Sequence, residues 1–536
     1  MSSVSADHHP AAQSSSSSSF SYSESEIIEQ LRQKLGAMEQ QLAVTEQRLQ
    51  YSELKVQVLE EQLRRERIDK YGRSSEKLSN EQLELLELEP GVSNEEVAAE
   101  AQREALPQPS TSQPRKQHPG RQRLPEGLPR VEWVIPCSPE QSVCRGCGKA
   151  TVVIGHEESE QLDVEPAKYF VLVTKREKRA CKKCEEQGVM AAPLPARIIE
   201  KGLVSDRVVI DTIVSKYVDH CPLYRQSAIL KREADLDLSR ATLDGWVMRV
   251  GELLRPVVGV MRRELVAGSY IQADETPIAV QTQDGRGKNH QAYLWQYGSP
   301  GREAIFDFRM GRGREGPQQF LKDFTGILQT DGYAAYNQVG KGRVVRAGCW
   351  SHARQKFFEA AQLNPDDKAA VAIVAKIDEL FAVDAEARAQ QMNLEARHQL
   401  RQQKARPLLD EIRALILAAN RSALPQSALG KAASYTLSLW ERLTRFLEYP
   451  VLELSTNLAE NSMRPIVLGR KNWLHLGSEQ AGPKIAAILS IVESCRRKQI
   501  PVRNYLADVL PGLNDLSIQR IAELTPKSWA TKHLQH

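Results

Sequence analysis

The sequence predicts a multidomain chain centred on a mixed α/β domain, with a helical insertion inside it and smaller modules ahead of it. Three observations carry this expectation. At 536 residues the chain is too long for one ordinary domain. A sustained apolar repeat near the start and two Cys-x-x-Cys pairs further on mark separate modules. From about residue 266, strand-like runs alternate with short helical ones in the order β-β-β-α-β-α-β-α.

Net charge is only +4, so any nucleic-acid surface must come from local basic clusters. No apolar run approaches a membrane span, and the N-terminus lacks a signal-peptide core. Eight cysteines are few for this length, and four of them sit in the two Cys-x-x-Cys pairs, which favours metal binding over disulfides. A soluble, cytoplasmic protein with no membrane partner is expected.

Residues 1–24 are serine-rich, with an unbroken run from Ser14 to Ser19, and are expected to be disordered. Residues 25–70 read as a coiled coil. Ile28, Leu31, Leu35, Met38, Leu42, Thr45, Leu49, Ser52, Val56, Leu59 and Leu63 alternate three and four apart, and nine of these eleven are apolar. A homo-oligomer would follow; the alternative is one long helix packed on its own protein. Residues 71–130 form a linker with a basic end, Pro114 to Arg123, suited to phosphates or to solvent.

Residues 131–200 are expected to form a zinc-binding domain. Cys144, Cys147, Cys181 and Cys184 supply four thiolates for a tetrahedral structural Zn²⁺, with Cys137 and His156 as substitutes and a strand expected at Lys168–Lys175. Residues 201–265 look helical. Ser227 to Val250 resembles two helices joined by a turn, the second starting near Ser239 or Arg240. That pattern fits a DNA-binding helix-turn-helix or a plain hairpin equally well.

The α/β core occupies residues 266–364 and 451–505, separated by a helical insertion over 365–450 and followed by a C-terminal tail, 506–536. Strands are expected at Tyr270–Val280, Gln291–Gly298 and Glu303–Met310, then at a run ending in Asp331, then at Arg343–Trp350 before a helix at Ser351–Ala361. This is the order of an RNase H-like fold, in which the first and fourth strands lie side by side. Asp274 and Asp331, 57 residues apart, would then meet. Two carboxylates so placed repel unless hard cations such as Mg²⁺ (or Mn²⁺) join them. Strand alternation separates Glu275 from Asp274, so that Glu275 faces away or supports the site. Read alone, Asp331 before Gly332 is an ordinary turn residue.

A third acid is offered by Glu460, on a short helix that Thr456 or Asn457 would cap. Arg464 follows one turn later, and Arg470, Lys471, Asn472 and Trp473 lie together downstream, where cations beside an aromatic suit phosphates and bases. His352 and Arg354 open a helix and are candidates to hold a phosphate. Cys349 and His352 also invite a metal reading, set aside because no third ligand is near in sequence.

Together these segments resemble the transposases of the IS66 family of insertion sequences. The matching pieces are "KYGRSSEKL" (Lys70 to Leu78), the paired Cys-x-x-Cys region, "ADETP" (Ala273 to Pro277), "TDGYAAYN" (Thr330 to Asn337), "GCWSHARQKFFE" (Gly348 to Glu359) and "NLAENSMRPIVLGRKNWLHLGS" (Asn457 to Ser478). The resemblance implies a DDE-type enzyme whose metal ligands are Asp274, Asp331 and Glu460. It also implies element ends and target DNA as partners, together with accessory proteins from the same element. The competing readings are a DNA-binding or oligomerising relic without catalysis, and an RNase H-like nuclease without strand transfer.

Overall fold

The computed structural model describes residues 24–71, 149–150, 169–180, 189–200, 202–282, 289–340, 342–364 and 367–533. The serine-rich start, the linker with its basic end and all four cysteines of the Cys-x-x-Cys pairs lie outside the described residues. The chain divides into two compact units. One comprises Met1–Lys77, Ala353–Ile377 and Pro407–Trp440, the other Leu78–His352, Asp378–Arg406 and Glu441–His536.

In the first unit, α1 (Glu24–Tyr71) is a single helix of 48 residues. Its apolar seam faces outward: Leu31, Leu35, Met38, Leu42 and Leu49 are each at least 60 % exposed. Among the described residues, none covers this stripe. Near the helix end, Glu61 Oε2 accepts from the Ala428 N–H at 3.0 Å, a contact inside the same unit.

The second unit holds the sheets. Strands β1 (Lys178–Ala180) and β2 (Val189–Ala191) pair antiparallel. The strand expected at Lys168–Lys175 is not formed by the residues described there; Phe170 to Val173 are 69–88 % exposed. Strand propensity needs a ladder partner, and the pairing starts only at Lys178.

Helices α2 (Asp206–Tyr217), α3 (Leu223–Ala234) and α4 (Arg240–Val266) come next. Ser239 caps α4, its hydroxyl accepting from the Thr242 N–H at 3.1 Å. The 27-residue α4 is a core helix: Leu243, Trp246, Val247, Val250, Leu254 and Val257 recur three and four apart and are buried.

The main sheet contains β3 (Tyr270–Val280), β4 (His290–Gly298), β5 (Ala304–Arg309), β6 (Ile327–Gln329), β7 (Val345–Ala347) and β8 (His475–Leu476). Its order is β5-β4-β3-β6-β7, with β8 added beside the end of β3. β3, β4 and β5 form an antiparallel meander, whereas β6 joins β3 and β7 joins β6 in parallel. This is a mixed α/β core. The short β8, parallel to Ala279 and Val280, has too few residues to announce itself in sequence.

Helix α5 (Glu315–Phe320) links β5 to β6, and α6 (Trp350–Leu363) follows β7. Residues 365–450 are helical where described: α7 (Lys368–Ala389), α8 (Leu394–Leu400), a π turn at Arg401–Ala405, α9 (Arg406–Ser422), α10 (Ala428–Ser438) and α11 (Trp440–Thr444). The second core segment supplies α12 (Asn457–Trp473) and α13 (Gly482–Arg497).

Helix α13 covers the edge strand β5. Ser490 Oγ accepts from the Phe306 N–H at 2.9 Å. Ser494 Oγ accepts from the Ala304 N–H at 3.1 Å and donates to the Ala304 carbonyl at 3.0 Å. Backbone groups that would otherwise invite another strand are thus satisfied. The same helix crosses α4 closely enough that a Cβ at Gly251 would meet Lys484 atoms at 2.7 Å.

The segment expected as a tail is instead part of the core. Helices α14 (Val502–Val509) and α15 (Pro526–His533) fold back, burying Leu506, Val509, Leu513 and Trp529. Tyr505 donates to the Leu524 carbonyl at 2.6 Å and Trp529 to Asp508 at 3.1 Å. Leu506, Val509, Leu510 and Leu513 recur at helical spacing, so an apolar face does show in the sequence, but what covers it lies elsewhere in the chain. Among the described residues no helix is long and apolar enough to cross a membrane.

Replacing Ser494 by Val leaves two buried backbone groups of β5 without partners. The expected cost is about 1–3 kcal/mol in chemical denaturation; an unchanged midpoint would show that the edge is satisfied otherwise.

Candidate active site

β3 and β6 pair with Gln272 opposite Gln329. Each then continues Gln-x-Asp, as Gln272-Ala273-Asp274 and Gln329-Thr330-Asp331. Asp274 and Asp331 each follow two residues past the paired glutamines, Asp274 within β3 and Asp331 beyond the last paired residue of β6. The glutamines are buried and bonded to each other, Gln272 Nε2 donating to Gln329 Oε1 at 3.1 Å. Tyr270 donates its hydroxyl hydrogen to Gln329 Oε1 and accepts from Gln272 Nε2 at 2.8 Å.

Asp331 stands past the end of β6. Its Oδ1 accepts from the Tyr333 N–H at 2.8 Å, and Gly332 adopts a φ of +93°. Asp331 is thus a turn residue here, as its position before Gly332 suggests when read alone. Glu275 points to a different set of partners: Arg312 Nη2 at 2.6 Å and the Tyr336 hydroxyl at 3.1 Å.

Glu460 lies in the first turn of α12, which at 17 residues is longer than the short helix expected. Thr456 occupies the N-cap position without a side-chain cap bond. Its N–H instead donates to Cys349 Sγ at 3.3 Å. Burial, the Glu460 charge and then the Glu275 charge raise the Asp274 pKa to about 7, against a hydrogen bond from the Glu275 N–H and the charge of His352. Asp274 thus feels the charges of Glu460 and Glu275, and Asp331 acts electrostatically on both Glu275 and His352.

His352 Nδ1 lies 3.5 Å from Glu460 Oε1. Burial lowers the imidazole pKa, but Cys349, Glu460 and Asp331 outweigh it and raise it to about 10. Cys349, His352 and Glu460 offer ligand atoms within 4.8 Å of one another. The third ligand absent from the local sequence is therefore Glu460, brought in by the fold, which reverses the reason for setting that cluster aside. Sequence reasoning also missed the two glutamines, although the repeated Gln-x-Asp was visible.

The other candidates separate. Arg470 is half-buried and holds β3, its Nη1 donating to Thr276 Oγ1 at 3.0 Å and to the Pro277 carbonyl. Trp473 packs edge-on against Tyr217 at 6.5 Å, with Lys216 Nζ 5.6 Å from its ring. These two residues shape the core. Lys471 and Asn472 are exposed at the far end of α12. Arg464 is half-buried one turn after Glu460, and the Arg354 guanidinium sits 5.7 Å from the Phe358 ring.

Residues 201–484 match the family model for the "Transposase IS66 family". The chain belongs to the IS66 transposase family. Two further IS66 matches are "zinc-finger binding domain of transposase IS66" over residues 141–185 and "Transposase C of IS166 homeodomain" over residues 58–132. The first spans Cys144, Cys147, Cys181 and Cys184 and supports a structural Zn²⁺ there. Two similar proteins of Sinorhizobium fredii (strain NBRC 101917 / NGR234) carry the names uncharacterized protein y4jD and uncharacterized protein y4qI. The first is 32 % identical over 423 residues, covering 76 % of this chain and 81 % of its own. The second is 32 % identical over 442 residues, covering 79 % and 78 %. The IS66 match contains Asp274, Asp331 and Glu460 and runs through the helical insertion.

The raised Asp274 pKa has a consequence for stability. Its carboxyl has an ordinary value of 3.8 and is raised to about 7 in the fold, so the unfolded state loses its proton first. Stability therefore falls as pH rises between these values, and the full penalty stands above the higher one. Asp274→Asn is expected to stabilise the cation-free protein by about 1–3 kcal/mol at about pH 8, with the gain fading below about pH 4. Denaturation in chelator checks this; a variant less stable than wild type at the higher pH would show that the carboxylate is not under strain.

Proposed function

We propose that this IS66 family member is a DDE-type transposase with an RNase H-like core, binding insertion-sequence ends and catalysing metal-dependent DNA cleavage and strand transfer through Asp274, Asp331 and Glu460. The observation that carries the reading is the parallel register of two Gln-x-Asp segments, with Glu460 as the strongest neighbouring charge on Asp274. The sheet order, an antiparallel meander extended by two parallel strands, supports the same core.

The donor set fits a hard divalent cation. Carboxylates crowded until one resists ionisation are the arrangement that Mg²⁺ or Mn²⁺ relieves, and Asp274, Asp331 and Glu460 would hold it. When bound there, the cation supplies charge neutralisation and Lewis acidity at phosphate. Asp274 offers its oxygens from a rigid strand and Asp331 from a turn locked by its own side chain. His352, cationic beside Glu460, stands to meet a phosphate oxygen. Water attacks phosphorus at the element end, so that the 3′-oxygen leaves as a hydroxyl and a 5′-phosphate remains on the flank. That 3′-hydroxyl then attacks a target phosphate, loses its proton to solvent and displaces the target's own 3′-oxygen as a hydroxyl.

DNA contacts fall to the exposed Lys471 and Asn472 and to Arg464, with the zinc module and the α3–α4 region as further contact surfaces. Arg354, in the first unit, is a separate candidate for a phosphate. The outward seam of α1 pairs with a second copy, so that two ends are held together in an oligomer. Accessory proteins from the same element are further partners in this reading.

Asp331→Asn is expected to lower Mg²⁺- or Mn²⁺-dependent nicking and joining of end DNA by about 100-fold or more. Full activity in that variant sinks the triad. Nicking by wild type without joining favours a nuclease, and DNA binding without nicking favours an inactive relic. For the seam, Leu35→Lys combined with Leu42→Lys is expected to reduce the assembly to monomers in light scattering; an unchanged mass would rule out this stripe as the interface.

A further inference from the structure

We infer that the helical insertion, through its segment Asp378–Arg406, is a positioning device for Glu460, gripping the strap Leu452–Thr456 that leads into α12 through a buried ion-pair network. The inference rests on the acidic-triad reading and deepens it.

From the insertion side, Arg397 bridges two acids. Its Nη1 lies 3.0 Å from Glu453 Oε1 and its Nη2 lies 2.8 Å from Asp384 Oδ2. Arg401 is fully buried and clasps Asp384 with Nε and Nη2 at 2.8 and 2.7 Å. The same Nη2 reaches the Leu452 carbonyl at 2.8 Å, and Nη1 reaches that of Phe446 at 3.1 Å. Arg401 opens the π turn between α8 and α9, an irregularity of the kind that re-aims a side chain. Arg388 also pairs with Glu453.

From the sheet side, Gln329 Nε2 donates to the Glu453 carbonyl at 2.7 Å and Gln272 Nε2 to that of Ser455 at 2.9 Å. The Trp350 N–H donates to the Leu454 carbonyl at 2.8 Å, and the Thr456 N–H to Cys349 Sγ at 3.3 Å. Every residue of the strap is therefore held. The two glutamines that align Asp274 with Asp331 also fix the strap, so all three acids are measured from one pair of side chains.

Burial raises the Asp384 pKa, but Arg401 and Arg397 outweigh it and bring it to about 2, so the network is charged. Buried ionic networks are weak sources of net stability, and their recognised use is to specify one arrangement. Here the arrangement specified is the entry to α12.

Two variants of the full chain test the idea. Arg397→Lys keeps the charge but cannot bridge Asp384 and Glu453 in fork geometry. Arg397→Met with Glu453→Gln removes a buried opposite-charge pair together, which protects folding. Three properties are read: the Mn²⁺ concentration for half-maximal nicking, end-DNA affinity, and amide exchange over residues 452–460. The half-saturating Mn²⁺ concentration is expected to rise about 10–100-fold, with faster exchange over 452–460 and unchanged DNA affinity. Folded variants with wild-type Mn²⁺ dependence overturn the proposal. Should wild type not nick, or should Glu460→Gln nick normally, the triad reading fails instead. Exchange then decides the strap by itself, and unchanged protection over 452–460 sinks it.

Discussion

The hydrogen-bonded pair Gln272–Gln329 is the contact on which the candidate site depends. It joins β3 to β6 in parallel, and a one-residue slip would turn Asp274 and Asp331 to opposite faces. Apolar residues would also pair these strands, but a buried amide is selective because its donor and acceptor both call for partners. Tyr270 and the Glu453, Ser455 and Gly348 carbonyls meet both amide nitrogens and Gln329 Oε1, while Gln272 Oε1 is buried without a hydrogen-bond partner. Register, strap and acid helix are consequently one construction.

Two buried aspartates show how environment decides chemistry. Asp274 and Asp384 are both withdrawn from water, yet burial and neighbouring carboxylates raise the first while two guanidinium groups hold the second low. The Asp274 carboxylate is disfavoured by its surroundings, whereas Asp384 has its counter-charges built in and serves the framework. Under the proposed function, the first is the acid that a divalent ion would relieve. His352 adds a cationic group at the edge of the acidic cluster, next to Glu460.

Modules outside the sheet follow the same logic of satisfied and unsatisfied surfaces. The edge of β5 is closed by serine hydroxyls of α13, so the sheet does not continue into another chain there. The stripe on α1 is left open among the described residues, and burying it requires a second surface. Arg470 and Trp473 look like nucleic-acid contacts in isolation, but one braces β3 and the other packs on Tyr217. A cation beside an aromatic serves a core as readily as a phosphate.

Periodicity made much of the local structure legible. The long helix α1, the Ser239 cap of α4, the 11-residue β3 and the meander after it are local patterns, and each needs only its own residues to be read. The segment at Phe170–Val173 misled because β-branched and aromatic residues do not make a strand without a partner. The C-terminal segment misled because its apolar residues pack only once α14 and α15 have turned back. By itself, the sequence determined most of the long elements and which residue types are on offer as ligands, since these reside in side-chain chemistry and spacing. Only the tertiary structure decided that Cys349, His352 and Glu460 meet, that Arg470 faces inward and that the insertion grips the strap. These depend on contacts between residues tens to more than a hundred positions apart, and no local pattern encodes such a distance.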